Sequence, residues 1–503
     1  MSSGVAQAPA VRRFHELPGP PRLPWLGNAW QIDAPRMHQQ FEAWSKRYGP
    51  FYRLQLGRRD ILVVADHSVI ATVLRDRPER FRRPLYSGRI LAEMGFELGL
   101  FFANDETWRR QRRMVMAAFD PGHVRGYFPA LATVARRLQG RWRQAARAGT
   151  PIDLQADLMR YTVDAIAGLA FGADVNTLES DEDVIQRHLN RIFPALYRRT
   201  LAVVRHWRYI RLPSDRALDA SVREVKGAID RFVAQAHARL QADPSLRSRP
   251  HNLLEAMIAS AEEGDSGLDD RDVAGNVLIM LLAGEDTTAN TLAWTIHLLH
   301  RHPEALRRAR DEVLREAPEP ARWTPEQIGA LDYVEACAHE TMRLKPVAPL
   351  LPSQAIAETS VAGIEVPAET LITGLMRHDA LDARHFPDPM AFRPERWLDA
   401  GTPGGTAGSA KRISMPFGAG PRICPGRYLA LMEMKLALAM LLGGFEIESA
   451  DTADGSEPRE RLTFSMAPEG LRLRLREQTA TAAAATIGST LARGVPTGVE
   501  TRP

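Results

Sequence analysis

Cysteine is nearly absent: Cys337 and Cys424 are the only two in 503 residues. Two thiols cannot staple a chain of this length, which excludes a disulfide-built scaffold and leads us to expect a reducing, cytoplasmic setting. Lysine is almost as scarce, with only Lys46, Lys226, Lys345, Lys411 and Lys435. Arginine carries the positive charge instead, a bias expected of a GC-rich, bacterial genome. The net charge of +4 is too small for this size to imply nucleic acid or an anionic membrane surface as a partner. Long apolar runs are missing as well. The longest, 277–283 and 436–442, fall far short of the ~18 residues that cross a bilayer, so no membrane span is expected. Residues 1–13 lack the basic and apolar regions of a signal peptide.

The chain is 45% apolar and long enough to bury a large core. Pro18, Gly19, Pro20, Pro21 and Pro24 keep its opening irregular. Residues 54–56 and 60–64 predict a short hairpin turning at Gly57. From Asp66 to Arg343 apolar residues recur at period 3.6, so helices dominate. One of them covers 270–300, about 45 Å at 1.5 Å per residue, and Pro303 stops it. Residues 346–400 mix proline, glycine and short β-like runs such as Ser360-Val361-Ala362, and 401–408 read as a surface loop. The small-residue tail from Ala480 onward is expected to be disordered. The class is therefore mainly α with a smaller β portion. We expect an N-terminal extension (1–16), one large domain (17–477) and a tail (478–503), with the protein a monomer.

Chemistry concentrates in Phe417-Gly418-Ala419-Gly420-Pro421-Arg422-Ile423-Cys424-Pro425-Gly426. Glycines let a backbone fold closely around a sulfur and aim N–H groups at it. Pro425 suits the first position of a helix continued by the apolar run after Tyr428. Cys424 then sits at the positive end of a helix dipole, which lowers a thiol pKa. A buried cysteine beside a glycine turn is the ordinary alternative. An aromatic, three glycines, an arginine and a cysteine at fixed offsets make chance a poor explanation. The segment resembles, at every defined position, the haem-binding signature of the cytochrome P-450 family, Phe-Gly-x-Gly-x-Arg-x-Cys-x-Gly. That resemblance implies a helix-rich triangular prism holding haem b between a long central helix and the cysteine loop. No Cys-x-x-Cys-His site is present, so the haem that the resemblance implies is expected to be non-covalent, its iron ligated by the thiolate of Cys424. Phe417 and Gly418 belong to the sulfur's surroundings, and Arg422 is placed to pair with a propionate.

Further segments are similar to the family. Glu340-Thr341-Met342-Arg343 matches its Glu-x-x-Arg pair, and Pro394-Glu395-Arg396-Trp397 its Pro-Glu-Arg-Phe segment. Together they imply a shape-holding Glu340–Arg343–Arg396 network behind the haem. Ala283-Gly284-Glu285-Asp286-Thr287-Thr288 lies inside the long helix and resembles the family's oxygen-site motif. There Gly284 removes a side chain where a ligand approaches. Thr287 can bond the carbonyl of Ala283, and Asp286 with Thr287 can relay protons. Trp108 and Arg112, at i and i+4, share a helical face and resemble the propionate-binding Trp-x-x-x-Arg. Arg109, Arg110 and Arg113 are either a solvated basic face or, with Lys435 and Arg427, a docking surface for an acidic electron donor. Phe119 and Phe171-Gly172 also fall where the family has them, and the likeness runs to about Arg472. One departure stands out: Gln354 occupies a position where members often carry a propionate arginine. Cys337 lacks the glycine loop and reads as a core thiol.

The resemblance implies a monooxygenase that inserts one atom of dioxygen into a hydrophobic substrate (lipid, terpenoid, steroid or macrocycle-like). Its pocket walls fall at 85–102, at Ile279, Met280 and Ala283, at 347–351 and at 464–466, under a mobile lid at 193–210. Fewer than 80 residues follow Cys424 and they hold no cofactor motif, so electrons are expected from a separate ferredoxin or flavodoxin with its reductase. A peroxide-driven peroxygenase is the nearest rival, but it lacks the acid–alcohol pair of Asp286 and Thr287. A haem sensor without turnover would have no use for that pair.

Overall fold

The structure, a computed structural model, describes residues 12–172, 175–179, 184–264, 266–398 and 407–478. The expected disordered tail from 480 and most of the loop at 401–408 lie outside the described residues. The end of that loop differs from expectation, because Ala407–Ser414 is an α-helix.

The long helix runs over Asp270–Arg301, 32 residues. Asp269 caps it by accepting from the N–H groups of Arg271 and Asp272, and Asp272 reaches back to the Asp269 N–H, satisfying donors a helix start leaves orphaned. His302 closes it, and Pro303 then serves as the first residue of the next helix, Pro303–Glu316, where a missing N–H costs nothing. Apolar residues on every side of this central helix mark it as a core element, and it is buried along most of its length. It packs against Leu154–Phe171, Asp332–Leu344 and Arg427–Gly444.

A five-stranded sheet flanks the helices in the order Phe51–Leu56, Arg59–Val64, Leu371–Leu375, Leu350–Ala355, Phe81–Arg82. The first pair is the predicted hairpin with Gly57 at φ +60°. Residues Ile61 to Val64 then run parallel to Leu371 to Gly374. Arg12–Arg13, assigned to an N-terminal extension, pair with Ile364 and Glu365, and Phe14 is buried. Residues ahead of Leu17 thus already pack onto the sheet and core. Near the C-terminus, the hairpin Glu460–Leu462 and Met466–Pro468 brings its tip, 463–465, against the middle of the central helix. No helix among the described residues is long and apolar enough to cross a membrane.

Candidate active site

The cysteine loop hangs between the helices Ala407–Ser414 and Arg427–Gly444. The Cys424 N–H donates to the Phe417 carbonyl at 3.0 Å, closing the loop. Gly420 has φ +72°, and a Cβ there would lie 2.4 Å from the Leu74 carbonyl oxygen. Only glycine lets the loop lean so closely on the end of the helix His67–Arg75. Pro425 is not the first helical residue: the helix begins at Arg427 with Gly426 as its cap. Burial pushes the Cys424 thiol up, opposed by a hydrogen bond from the Gly426 N–H and by the charges of Arg112 and Arg427. The Phe417 ring meets His339 edge-on at 6.3 Å, and His339 stacks on Trp397 at 4.9 Å.

Above the loop, the central helix shows a single stripe of half-exposed residues in its buried middle: Ile279, Met280, Ala283, Gly284 and Thr287. Their spacing is that of one helical face, so this face borders an interior chamber. The Thr287 hydroxyl donates to the Ala283 carbonyl at 2.6 Å. Gly284 has a second reason to be glycine, since a Cβ would come within 2.2 Å of Ile166 Cδ1 on the helix Leu154–Phe171. Its missing side chain admits a packing neighbour. Asp286 points away from the chamber. Its oxygens accept from Asn290 Nδ2 at 3.0 Å and from Ser465 Oγ at 2.7 Å, and Gln155 extends the chain by donating to Asn290 at 2.8 Å. Burial raises the Asp286 pKa against these bonds.

Beside the cysteine loop, arginines crowd together. Arg422 lies over the buried Trp108 ring at 4.5 Å and donates to the Ala103 carbonyl at 2.8 Å. Arg83 stacks on Phe101 at 4.2 Å. Burial, then the charge of Arg83, disfavours the charged form of both Arg77 and Arg422. Arg112 adds to the repulsion felt by Arg422, and only Asp105 offsets it. The Nε atoms of Arg83 and Arg422 are buried without a hydrogen-bond partner. Such a cluster calls for anionic oxygens, and two carboxylates such as the haem propionates suit it. The residues present therefore fit the group. Arg77 and Arg83 escaped the sequence reading; the Arg82-Arg83-Pro84 run ahead of the pocket wall was the available signal. Gln354 accepts from the Leu85 N–H and donates to Glu369, so it serves the sheet edge.

Behind the loop, Arg343 and Glu340 are fully buried. Arg343 donates twice to Glu340, both at 2.8 Å, and to the carbonyls of Ala380, Pro389 and Ala391. Trp397 Nε1 and the Arg393 N–H also donate to Glu340, and Arg396 Nε lies 3.4 Å from it.

Three rings meet at the pocket: Phe464 faces Phe101 at 6.1 Å and Phe193 at 5.3 Å. The wall at 85–102 is pinned to the central helix by the Leu100 N–H on Asn276. In the segment expected to form a lid, Phe193 and Trp207 are buried, while Val204, Tyr209 and Ile210 are exposed. Of the basic residues, Arg109 and Arg113 are exposed and Arg427 is half-exposed. Lys435 leaves the basic surface, because it is buried on Glu335 at 2.6 Å and the Gly329 carbonyl at 2.9 Å. Cys337 is buried, as expected of a core thiol.

Comparison with known proteins agrees with this geometry. The cytochrome P450 family profile matches residues 17–475. Cytochrome P450 3A6 of Oryctolagus cuniculus is 29% identical over 86% of either chain. Cytochrome P450 monooxygenase ABA2 of Pyricularia oryzae is 29% identical over 90% of this chain and 88% of its own. The solved haem domain of cytochrome P450DA superposes with a TM-score of 0.79 at 24% identity, covering 92% of this chain and 98% of that one. With a family match that spans nearly the whole sequence and a fold that agrees, the chain belongs to the cytochrome P450 family and is a haem-b oxidoreductase of the monooxygenase type with thiolate ligation.

Proposed function

We propose that this enzyme inserts one atom of dioxygen into a hydrophobic small molecule of lipid, terpenoid, steroid or macrocycle type. The observation that carries this reading is the chamber stripe: Ile279, Met280, Ala283 and Gly284 are apolar, and Thr287 alone brings a hydroxyl. Phe101, Phe193 and Phe464 continue that apolar lining, which disfavours sugars and nucleotides. Haem, when bound, supplies the binding and activation of dioxygen, and a thiolate ligand favours O–O cleavage.

The chain's residues divide the remaining work. Cys424 holds the iron within the cage of Phe417 and Gly418. Trp108, Arg112 and Arg422, with Arg83, would hold the propionates through charge-assisted bonds, and Ala283 on the chamber stripe would face the porphyrin. The Thr287 hydroxyl can turn from the Ala283 carbonyl to hand a proton into the chamber. Asp286 sits behind the helix, accepting from Ser465 and Asn290, and with Thr287 can relay protons. Glu340, Arg343 and Arg396 hold the floor in shape. Electrons come from a separate ferredoxin or flavodoxin with its reductase, docking on the face of Arg109, Arg113 and Arg427. We take the protein to work as a cytoplasmic monomer with one catalytic domain at 17–477.

The test is a titration of the haem-loaded protein with a panel of hydrophobic compounds and with sugars. Hydrophobic compounds should convert the iron from low to high spin, and the best of them should be oxygenated with an acidic electron donor. Shifts confined to sugars would overturn the substrate class. Turnover that ignores charge reversal at Arg109 and Arg113 would overturn the docking face.

A further inference from the structure

Four side chains around the start of the helix His67–Arg75 take no part in the reading above. Asp379 is buried, and its Oδ2 accepts from the His67 N–H at 2.8 Å and lies 2.7 Å from His67 Nδ1. His378 Nδ1 lies 2.9 Å from the other oxygen, Oδ1. His385 approaches from the following loop, with Nε2 3.9 Å from Oδ2 and its ring edge-on to His67 at 4.8 Å. One ligand atom each from His67, Asp379 and His385 falls within a 4.8 Å span, the one such trio among the described residues.

We propose that His67, Asp379 and His385 bind a zinc-class divalent cation. Two imidazoles and one carboxylate suit zinc, nickel or copper, whereas magnesium and calcium want oxygen donors. Three protein ligands leave the fourth tetrahedral position to water. A tetrahedral site with bonds of about 2.0 Å needs its ligand atoms about 3.3 Å apart, so the span must tighten by roughly 1 to 1.5 Å. His385 can provide this: it sits on a surface loop with 28% of its side chain exposed, and the same exposure lets an ion enter. His67 Nδ1 and Asp379 Oδ2, hydrogen-bonded at 2.7 Å, would part by about 0.6 Å and give up the proton between them as the ion enters. His378 on Oδ1 supplies the outer support that orients a ligating carboxylate. The neighbouring cation, Arg384, is turned onto Asp382 and is 74% exposed, so it does not occupy the site.

The position assigns such an ion a structural role. Ala380, next to Asp379, accepts from Arg343 at 2.6 Å, and the far end of the His67 helix presses on Gly420 of the cysteine loop. An ion here would clamp two elements that back the sulfur without touching the chamber.

The experiment uses haem-loaded, full-length protein freed of metal by chelator and titrated with zinc in a calorimeter. Binding of one equivalent at low-micromolar Kd or tighter is expected, with a rise of several degrees in melting temperature. Zinc-edge absorption should show two imidazoles at about 2.0 Å. His67→Ala and His385→Gln should each weaken binding at least tenfold, and His378→Ala less. Because His385 is half-exposed, its glutamine variant tests the site without threatening the fold. Wild-type binding no tighter than millimolar, or undiminished binding in both His67→Ala and His385→Gln, would overturn the proposal. Binding with an unchanged melting temperature would overturn the clamp.

Discussion

Replacing Arg343 by alanine deletes every bond that side chain donates inside a fully buried site. Glu340 would keep Trp397 Nε1, the Arg393 N–H and, at 3.4 Å, Arg396. It would lose the bidentate partner that balances its charge. Breaking a buried pair this way costs about 3–5 kcal/mol. The carbonyls of Ala380, Pro389 and Ala391 would lose their donor at about 1 kcal/mol each. Together this approaches about 6–8 kcal/mol, against a typical total stability of about 5–15 kcal/mol. The Arg343→Ala protein should therefore be recovered with little haem and a greatly lowered urea midpoint. The haem-to-protein ratio by pyridine haemochromogen, read beside the urea curve, measures both. The double variant Glu340→Gln with Arg343→Met should recover part of the loss, since no uncompensated carboxylate remains. A fully haem-loaded Arg343→Ala protein with a wild-type midpoint would refute this reasoning, and so would a double variant weaker than Arg343→Met alone.

Other outcomes follow from the same geometry. Thr287→Ala should keep its haem yet divert reducing equivalents to hydrogen peroxide, lowering product per electron roughly tenfold or more; unchanged coupling would count against the proton role. Cys424→His should abolish the red-shifted absorption of the reduced, carbon-monoxide-treated protein, and an unaltered spectrum would remove Cys424 as the ligand. Arg83→Ala should weaken haem retention about tenfold, the worth of one charge-assisted contact, measured by haem transfer to an acceptor protein. Glu433 is buried with Oε1 unpartnered, and burial raises its pKa from 4.5 to about 8. Because the folded state holds this proton more tightly, Glu433's contribution to stability is full below pH 4.5 and is lost as pH rises toward 8, by up to about 3–5 kcal/mol. Glu433→Gln should flatten that slope and raise the urea midpoint at pH 8 while leaving it nearly unchanged at pH 4.5. An equal slope in both proteins would show that Glu433 is not its source.

Much of the fold lay open in local pattern. The central helix was legible because a 3.6 period, an aspartate cap and a closing proline are encoded within a short stretch. The hairpin at Gly57 was legible for the same kind of reason. The cysteine loop was equally plain, since its residues are contiguous and their spacing repeats a known signature. Expectations about neighbours fared less well. Gly284 lies on the chamber stripe, and Ile166, from a helix more than a hundred residues earlier, also needs the space left by its missing side chain. Lys435 was read as surface charge, although its helix buries it on Glu335.

By itself, then, the order of residues determined which segments coil, where they stop and which sulfur can meet iron, because those properties depend on neighbours along the chain. The meeting of Arg77 and Arg83 with Arg422, of Asp286 with Ser465, and of His67 with Asp379 and His385 was decided only by tertiary structure. Those partners stand far apart in the chain, and charge, burial and hydrogen bonding act through distances in space.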